Sequence, residues 1–242
     1  VDLLVQTILI YSLVLFAASL FQTITGFGSA LIASPILFAV YEPKTVVATL
    51  AVPIFLTVAI AAWKVRAEIP WKRVLKYSAW MVAGIPLGVL CLNSVSPRVM
   101  KGVMGVMLLL SLVPPTKLGV IRVWTLPWLN GILAGILTGF LGTPGAAVVA
   151  YVHGQDWPHS EKRATSLAIF TVGQGIRLFF YAGTSLLGGA AIWGIVVGVV
   201  PAIVAGILLG VNLSSKLSPK QISFLVKIGI FALAVMMLKD AF

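Results

Sequence analysis

Apolar residues in this chain fall in long unbroken blocks rather than in stripes. Runs close to the length that crosses a bilayer, about 20 residues, recur at Leu3–Leu20, Thr45–Trp63, Tyr77–Leu92, Val99–Pro114, Ala164–Leu187, Ala190–Leu213 and Gln221–Leu238. A surface helix of a soluble domain keeps a polar face; these runs have almost none. Strands of a membrane barrel are about ten residues long and alternate apolar with polar, whereas these runs are longer and apolar on every face. The pattern predicts helices that satisfy their own backbone hydrogen bonds inside lipid, an all-α integral membrane fold with little chain left for a soluble domain. Only Asp2 carries charge before the first run, and no basic stretch precedes it. Leu3–Leu20 therefore reads as part of the mature fold rather than as a signal peptide.

Composition agrees: 60% of the residues are hydrophobic and 10% charged, against about a quarter charged in soluble domains. The net charge of +11 does not point to nucleic acid, because the basic residues sit in short connections between runs, where orientation signals belong. Lys64, Arg66, Lys72, Arg73 and Lys76 mark one cytoplasmic connection; Lys117 with Arg122, Lys162 with Arg163, and Lys216 with Lys220 mark others. The turn Gly183–Gly189 is uncharged and fits the outside, while Lys44, Arg98 and Lys101 run against the scheme. Trp63, Trp71, Trp80, Trp124, Trp128 and Trp157 lie near run ends, as an interfacial aromatic belt does. Asp2, Glu42, Glu68, Asp156, Glu161 and Asp240 all lie in connections or near the ends, so no carboxylate proton relay is visible at membrane depth. The one cysteine, Cys91, excludes a disulfide framework and a thiol cluster, and His153 and His159 flank a connection. No cofactor or metal is expected, and no nucleotide-binding or hydrolase motif is present.

The chain also repeats itself. Leu87-Gly88-Val89 followed by Ser96-Pro97 returns as Leu209-Gly210-Val211 followed by Ser218-Pro219 at the same spacing. Thr25-Gly26-Phe27 is echoed by Thr138-Gly139-Phe140, and Ala48-Thr49 by Ala164-Thr165, in the same order. By the charge rule the run ending at Trp63 goes inward and its counterpart Ala164–Leu187 goes outward. The halves, residues 1–116 and 117–242 of a single membrane domain, are then inverted-topology repeats of about five hydrophobic segments each. The parity holds whether the short second segment of each half crosses or re-enters. If it crosses, both ends of the chain lie outside.

Each half holds one broken segment. In the first, Phe21 to Ala30 carries Gln22, Thr25, Gly26, Phe27, Gly28 and Ser29 and leads into a short apolar piece to Val40 interrupted by Pro35. In the second, Thr138, Gly139, Leu141, Gly142, Thr143, Pro144 and Gly145 lead into a short piece to Val152. Both pieces are too short for a comfortable span, and such a matched pair of interrupted segments is the best sequence pointer to a transporter binding site. A broken helix frees backbone N–H groups, a helix N-terminus attracts anions, and glycine lets backbone approach a ligand. Small residues at four-residue spacing also serve close helix packing, which is the reading given to Gly102, Gly105, Gly131 and Gly135.

A Gly-Phe-Gly break, a short Pro-bearing helix and its return past the midpoint together resemble the TauE/SafE family, the sulfite exporter family of membrane permeases. The resemblance covers essentially the whole chain. Leu141-Gly142-Thr143-Pro144 departs from the consecutive glycines usual there. The resemblance implies transport, by export, of sulfite, sulfonates or related sulfur-containing anions across a bacterial inner membrane.

Other residues extend the candidate site. Arg177 lies well inside an apolar run, three positions after Gln174, so the two share a helix face; a charge there is a functional signal by default. It either faces the substrate, whose oxygens suit a guanidinium, or snorkels to the interface near Tyr181. Gln22 and Thr25 either face the site or cap freed backbone. Thr49, Thr165 and Ser166 either line the cavity or cap helices. Lys227 reads as a snorkelling lysine. The expected partners are a small anion and the lipid bilayer, with a homo-oligomer left open; a scaffold subunit and an intramembrane enzyme are the rival classes.

Overall fold

The computed structural model describes residues 2–25, 28–113, 126–214 and 219–241, and among them the only regular structure is helical. The first six helices are α1 (Asp2–Thr25), α2 (Ser29–Phe38), α3 and α4 (Pro43–Thr49 and Ala51–Lys64), α5 (Trp71–Ser94) and α6 (Pro97–Leu112). After 114–125 come α7 (Pro127–Leu141), α8 (Gly145–His153), α9 (His159–Ala182), α10 (Ala190–Ser214) and α11 (Pro219–Lys239). Short 3-10 turns occupy Arg66–Glu68 and Ser185–Leu187. Among the described residues three helices are long and apolar enough to cross a membrane by themselves, over Leu3–Thr25, Trp71–Ser94 and Ala191–Leu213.

Several expected boundaries move. The run Thr45–Trp63 is two helices bent by 42°. Pro53 explains the bend: it has no N–H for the Thr49 carbonyl, and its ring crowds that carbonyl, so the helix breaks one turn upstream at Leu50. Pro35 does not interrupt its segment, because α2 runs through it and ends at Phe38 one turn later. The first break is narrower than Phe21 to Ala30, since α1 stays helical through Thr25. Helix α9 starts five residues before Ala164 and ends at Ala182, leaving Leu187 in a separate turn. Helix α7 is apolar but absent from the seven predicted runs; at 15 residues it is shorter than each of them.

Each short helix doubles back on the helix before it. Beyond the end of α2, the Tyr41 ring lies 5.3 Å from that of Tyr11 on α1. The α7–α8 pair closes the same way: Tyr77 Oη donates to Asn130 Oδ1, Asn130 Nδ2 donates to the Ala147 carbonyl at 3.1 Å, and the Tyr77 ring stacks on Tyr151 at 4.9 Å.

Backbone contact between long helices is made through glycine. A β-carbon on Gly84 or Gly88 of α5 would strike the Ile132 or Ile136 carbonyl of α7, and one on Gly135 or Gly139 would strike the Met81 or Ile85 carbonyl of α5. Gly206 and Gly210 of α10 meet Phe16, Ser19, Leu20 and Thr23 of α1 in the same manner. The packing reading of Gly131, Gly135 and Gly105 is what the contacts give, Gly105 lying against Leu238.

The packing maps onto itself when the first five elements, with α3 and α4 taken together, are exchanged for the second five. The pair α1·α10 becomes α7·α5, α4·α10 becomes α9·α5, and α2·α11 becomes α8·α6, while α4·α9 and α6·α11 map onto themselves. Within the last two pairs the helices are antiparallel: Gly105 meets Leu238 while Lys101 meets Asp240, and Phe55 neighbours Gly175 while Arg73 beyond α4 meets Glu161 at the start of α9.

Candidate functional site

The two breaks meet. Gly28, at the head of α2, has φ +102° and Gly142, closing α7, has φ +75°, left-handed values that suit glycine. The Ser29 N–H at the head of α2 donates to Gln22 Oε1 at 3.1 Å. At the head of α8 the Gly145 N–H donates to Thr143 Oγ1 at 3.2 Å, and Gln174 Nε2 donates to the Gly142 carbonyl at 2.8 Å. These three side chains hold the ends that the breaks expose.

A cavity of about 20 Å³ lies between the heads of α2 and α8, room for roughly one water. Gln22, Gly28 and Ser29 wall it from one side, and Thr143, Pro144 and Gly145 from the other. Ile54 and Val58 of α4 and Phe170 and Gln174 of α9 complete it. Of these, Gln174 was expected from sequence; Ile54, Val58 and Phe170 were not singled out, yet a signal was present. Thr49 and Thr165 differ by the same interval in the sequence as Ile54 and Phe170, and as Val58 and Gln174. Phe170 sits near the middle of α9.

Buried polar side chains are informative because burial without a partner costs about 1–3 kcal/mol per group. Among the described residues Gln22 Nε2, Gln174 Oε1, Thr165 Oγ1, Ser166 Oγ and Arg177 Nε and Nη1 are buried with no hydrogen-bond partner. Ser166, Phe170, Gln174 and Arg177 fall on one face of α9, so the unpaired groups follow each other past the cavity.

Arg177 is fully buried and therefore does not snorkel to an interface. Its Nη2 donates to the Val47 carbonyl of α3 at 3.0 Å, and its Cζ sits 5.0 Å from the Tyr181 ring centroid. Nη1 lies where a β-carbon on residue 142 would be. No carboxylate pairs with it among the described residues, the ion pairs there being Arg73–Glu161 and Lys101–Asp240. Arg177 is not in the cavity wall; the Gly142 turn separates them.

The remaining candidates divide. Thr165 and Ser166 do not cap α9, because Pro158 holds the cap position and both lie in the second turn. Thr49 is buried, donates to the Thr45 carbonyl at 2.8 Å and is not part of the cavity wall. Thr25 Oγ1 donates to the Phe21 carbonyl at 2.9 Å. Gly139 faces α5, and its carbonyl accepts from Tyr181 Oη at 2.7 Å. Lys227 is exposed. Gly26 and Phe27 lie outside the described residues, as do Lys117, Arg122, Lys216 and Ser218.

No curated protein and no solved structure matches the chain. The arrangement described, paired helix breaks in an apolar helical chain, agrees with a match to one family model, sulfite exporter TauE/SafE, over residues 11–237. That match takes in nearly the whole chain, which therefore belongs to the sulfite exporter TauE/SafE family of membrane transporters.

Proposed function

We propose that this protein carries a small sulfur oxyanion, sulfite or a sulfonate, across a bacterial inner membrane by alternating access to one site where the two helix breaks meet. The carrying observation is that α2 and α8 both open their N-terminal ends onto one buried cavity walled by half-satisfied glutamines. Helix N-terminal ends attract negative charge, and discontinuous helices meeting near mid-depth are how transporters seat anions. Arg177 supplies a full positive charge one turn beyond Gln174. A buried guanidinium without a carboxylate is costly, and an arriving anion offsets that cost.

Alternating access needs two arrangements of similar energy, which inverted repeats provide by exchanging roles. The self-mapping of helix contacts and the antiparallel counterpart pairs α4·α9 and α6·α11 support inverted halves. The cavity is water-sized, so it must widen to admit an anion. The sulfur chemistry and the outward direction rest on the family.

Flux of radiolabelled sulfite into proteoliposomes, with taurine and methanesulfonate as competitors, tests the reading. Saturable flux above that of protein-free vesicles is expected. Folded protein that moves no sulfur oxyanion overturns it.

A further inference from the structure

The two cavity glutamines each have one end fixed, and chemistry dictates which. Ser29 N–H is a donor, so the end of Gln22 that meets it at 3.1 Å is the oxygen, and the amide nitrogen is the free end. The Gly142 carbonyl is an acceptor, so the end of Gln174 that meets it at 2.8 Å is the nitrogen, and the oxygen is the free end. This assignment follows from the fixed partners rather than from the placement of indistinguishable atoms. Gln22 is 2% exposed and Gln174 1%, and both wall the same cavity. The two cavity glutamines therefore carry between them one unused donor and one unused acceptor, both sealed from open space in this closed arrangement.

We infer that the species taken is a protonated monoanion, hydrogen sulfite, rather than the sulfite dianion, sulfate or a simple alkyl sulfonate. The inference rests on the transport reading above and deepens it. Charge alone does not choose: Arg177 and two helix N-terminal ends attract a monoanion and a dianion alike. The free Gln174 oxygen does choose. An aprotic oxyanion turns a lone pair toward that oxygen, leaving a buried acceptor unpaired beside a second negative atom. Hydrogen sulfite accepts from Gln22 Nε2 through one oxygen and donates its own proton to Gln174 Oε1. A single water also satisfies both amides, but it brings no charge to Arg177. Discrimination against ligands that cannot complete a buried pair is strong, because the site keeps the unmet group.

Sulfite titrates near neutral pH, which makes the test direct. Counterflow of radiolabelled sulfite is measured in proteoliposomes from about pH 6 to about pH 8.5, protein-free vesicles correcting for leakage of sulfur dioxide. KM expressed as total sulfite is expected to rise about tenfold per pH unit above neutrality, and to stay constant when recast as hydrogen sulfite. Sulfate and methanesulfonate are expected to compete at least about tenfold more weakly than hydrogen sulfite. Gln174→Leu is expected to shrink the gap between hydrogen sulfite and methanesulfonate, with unfolding temperature checked because Gln174 also holds the Gly142 turn. The native-protein measurements stand without that variant. A KM in total sulfite that is flat or falls with rising pH, or sulfate competing equally, overturns the inference while transport stands. Absence of saturable flux of any sulfur oxyanion at every pH overturns the transport reading itself, and this inference with it.

Discussion

Arg177 and Gly142 constrain each other, because a β-carbon at residue 142 would collide with the guanidinium. Gly142 has φ +75° and its missing β-carbon is the space that Arg177 Nη1 fills. Gly142→Ala is expected to cost about 1–2 kcal/mol for the left-handed backbone, and to push the guanidinium off the Val47 carbonyl. Thermal unfolding in detergent should show the loss, and anion affinity should fall with it. Arg177 itself is expected to behave in the opposite sense. Arg177→Met removes a buried charge that has one hydrogen bond and no carboxylate, so the anion-free variant should unfold no lower than the native protein. It should also lose the rise in unfolding temperature that sulfite gives the native protein; an undiminished rise would show that Arg177 does not sense the anion. The sequence placed Arg177 at membrane depth and on the Gln174 face, because periodicity alone decides that. It left snorkelling open, because the Val47 partner belongs to another element and such tertiary pairs leave no local signal.

At the level of elements, glycines split by what faces them. A β-carbon on Gly135 would overlap the Met81 carbonyl of α5, and backbone cannot swing aside as a flexible side chain does. Gly135→Ala is expected to part α5 from α7 and cost about 1–3 kcal/mol or more, seen as reduced yield of monodisperse protein and a lower unfolding temperature. Gly229, in α11, has nothing within 4 Å of its β-carbon position; Gly229→Ala is expected to be neutral or to stabilise by up to about 1 kcal/mol through helix propensity. Equal effects at the two positions would contradict close backbone contact between α5 and α7. Four-residue spacing made the packing role of Gly131 and Gly135 readable in advance. The same spacing hid the part of Gly139 that faces α5, since its neighbours also mark the break. The bend at Leu50 went unread because a span with one proline near its start looks continuous by hydropathy, although Pro53 supplies its cause. The short helices α2 and α8 were legible as pieces too short to span; their doubling back is accompanied by contacts such as Tyr11–Tyr41 and Asn130 with the Ala147 carbonyl that no local pattern announces.

For the molecule as a whole, rocking of one half against the other needs ties that open in turn at the two ends. Among the described residues two ion pairs join the halves. Arg73, before whose helix α4 ends, meets Glu161 at the start of α9, and Lys101 at the start of α6 meets Asp240 after α11 at 3.0 Å. Helix α5 separates them: Arg73 is in its first turn, while Asn93 near its end accepts from Lys44 at 3.1 Å, about 30 Å away at 1.5 Å per residue. The charge rule assigned Lys64–Lys76 and Lys162–Arg163 to one side from sequence, and the Arg73–Glu161 pair joins those two connections directly. Half-exposed pairs of this kind contribute about 0.2–1 kcal/mol, which suffices to shift a balanced two-state equilibrium by up to about fivefold. Glu161→Gln is therefore expected to favour opening at the Arg73 end, and Asp240→Asn at the other. With Cys91 replaced by serine and a cysteine placed at Phe170 in the cavity wall, alkylation by an impermeant reagent applied from the Arg73 end should quicken in the first variant and slow in the second. Parallel changes in both, or none in either, would mean that the two ends do not open in alternation and that the halves do not exchange roles around the cavity.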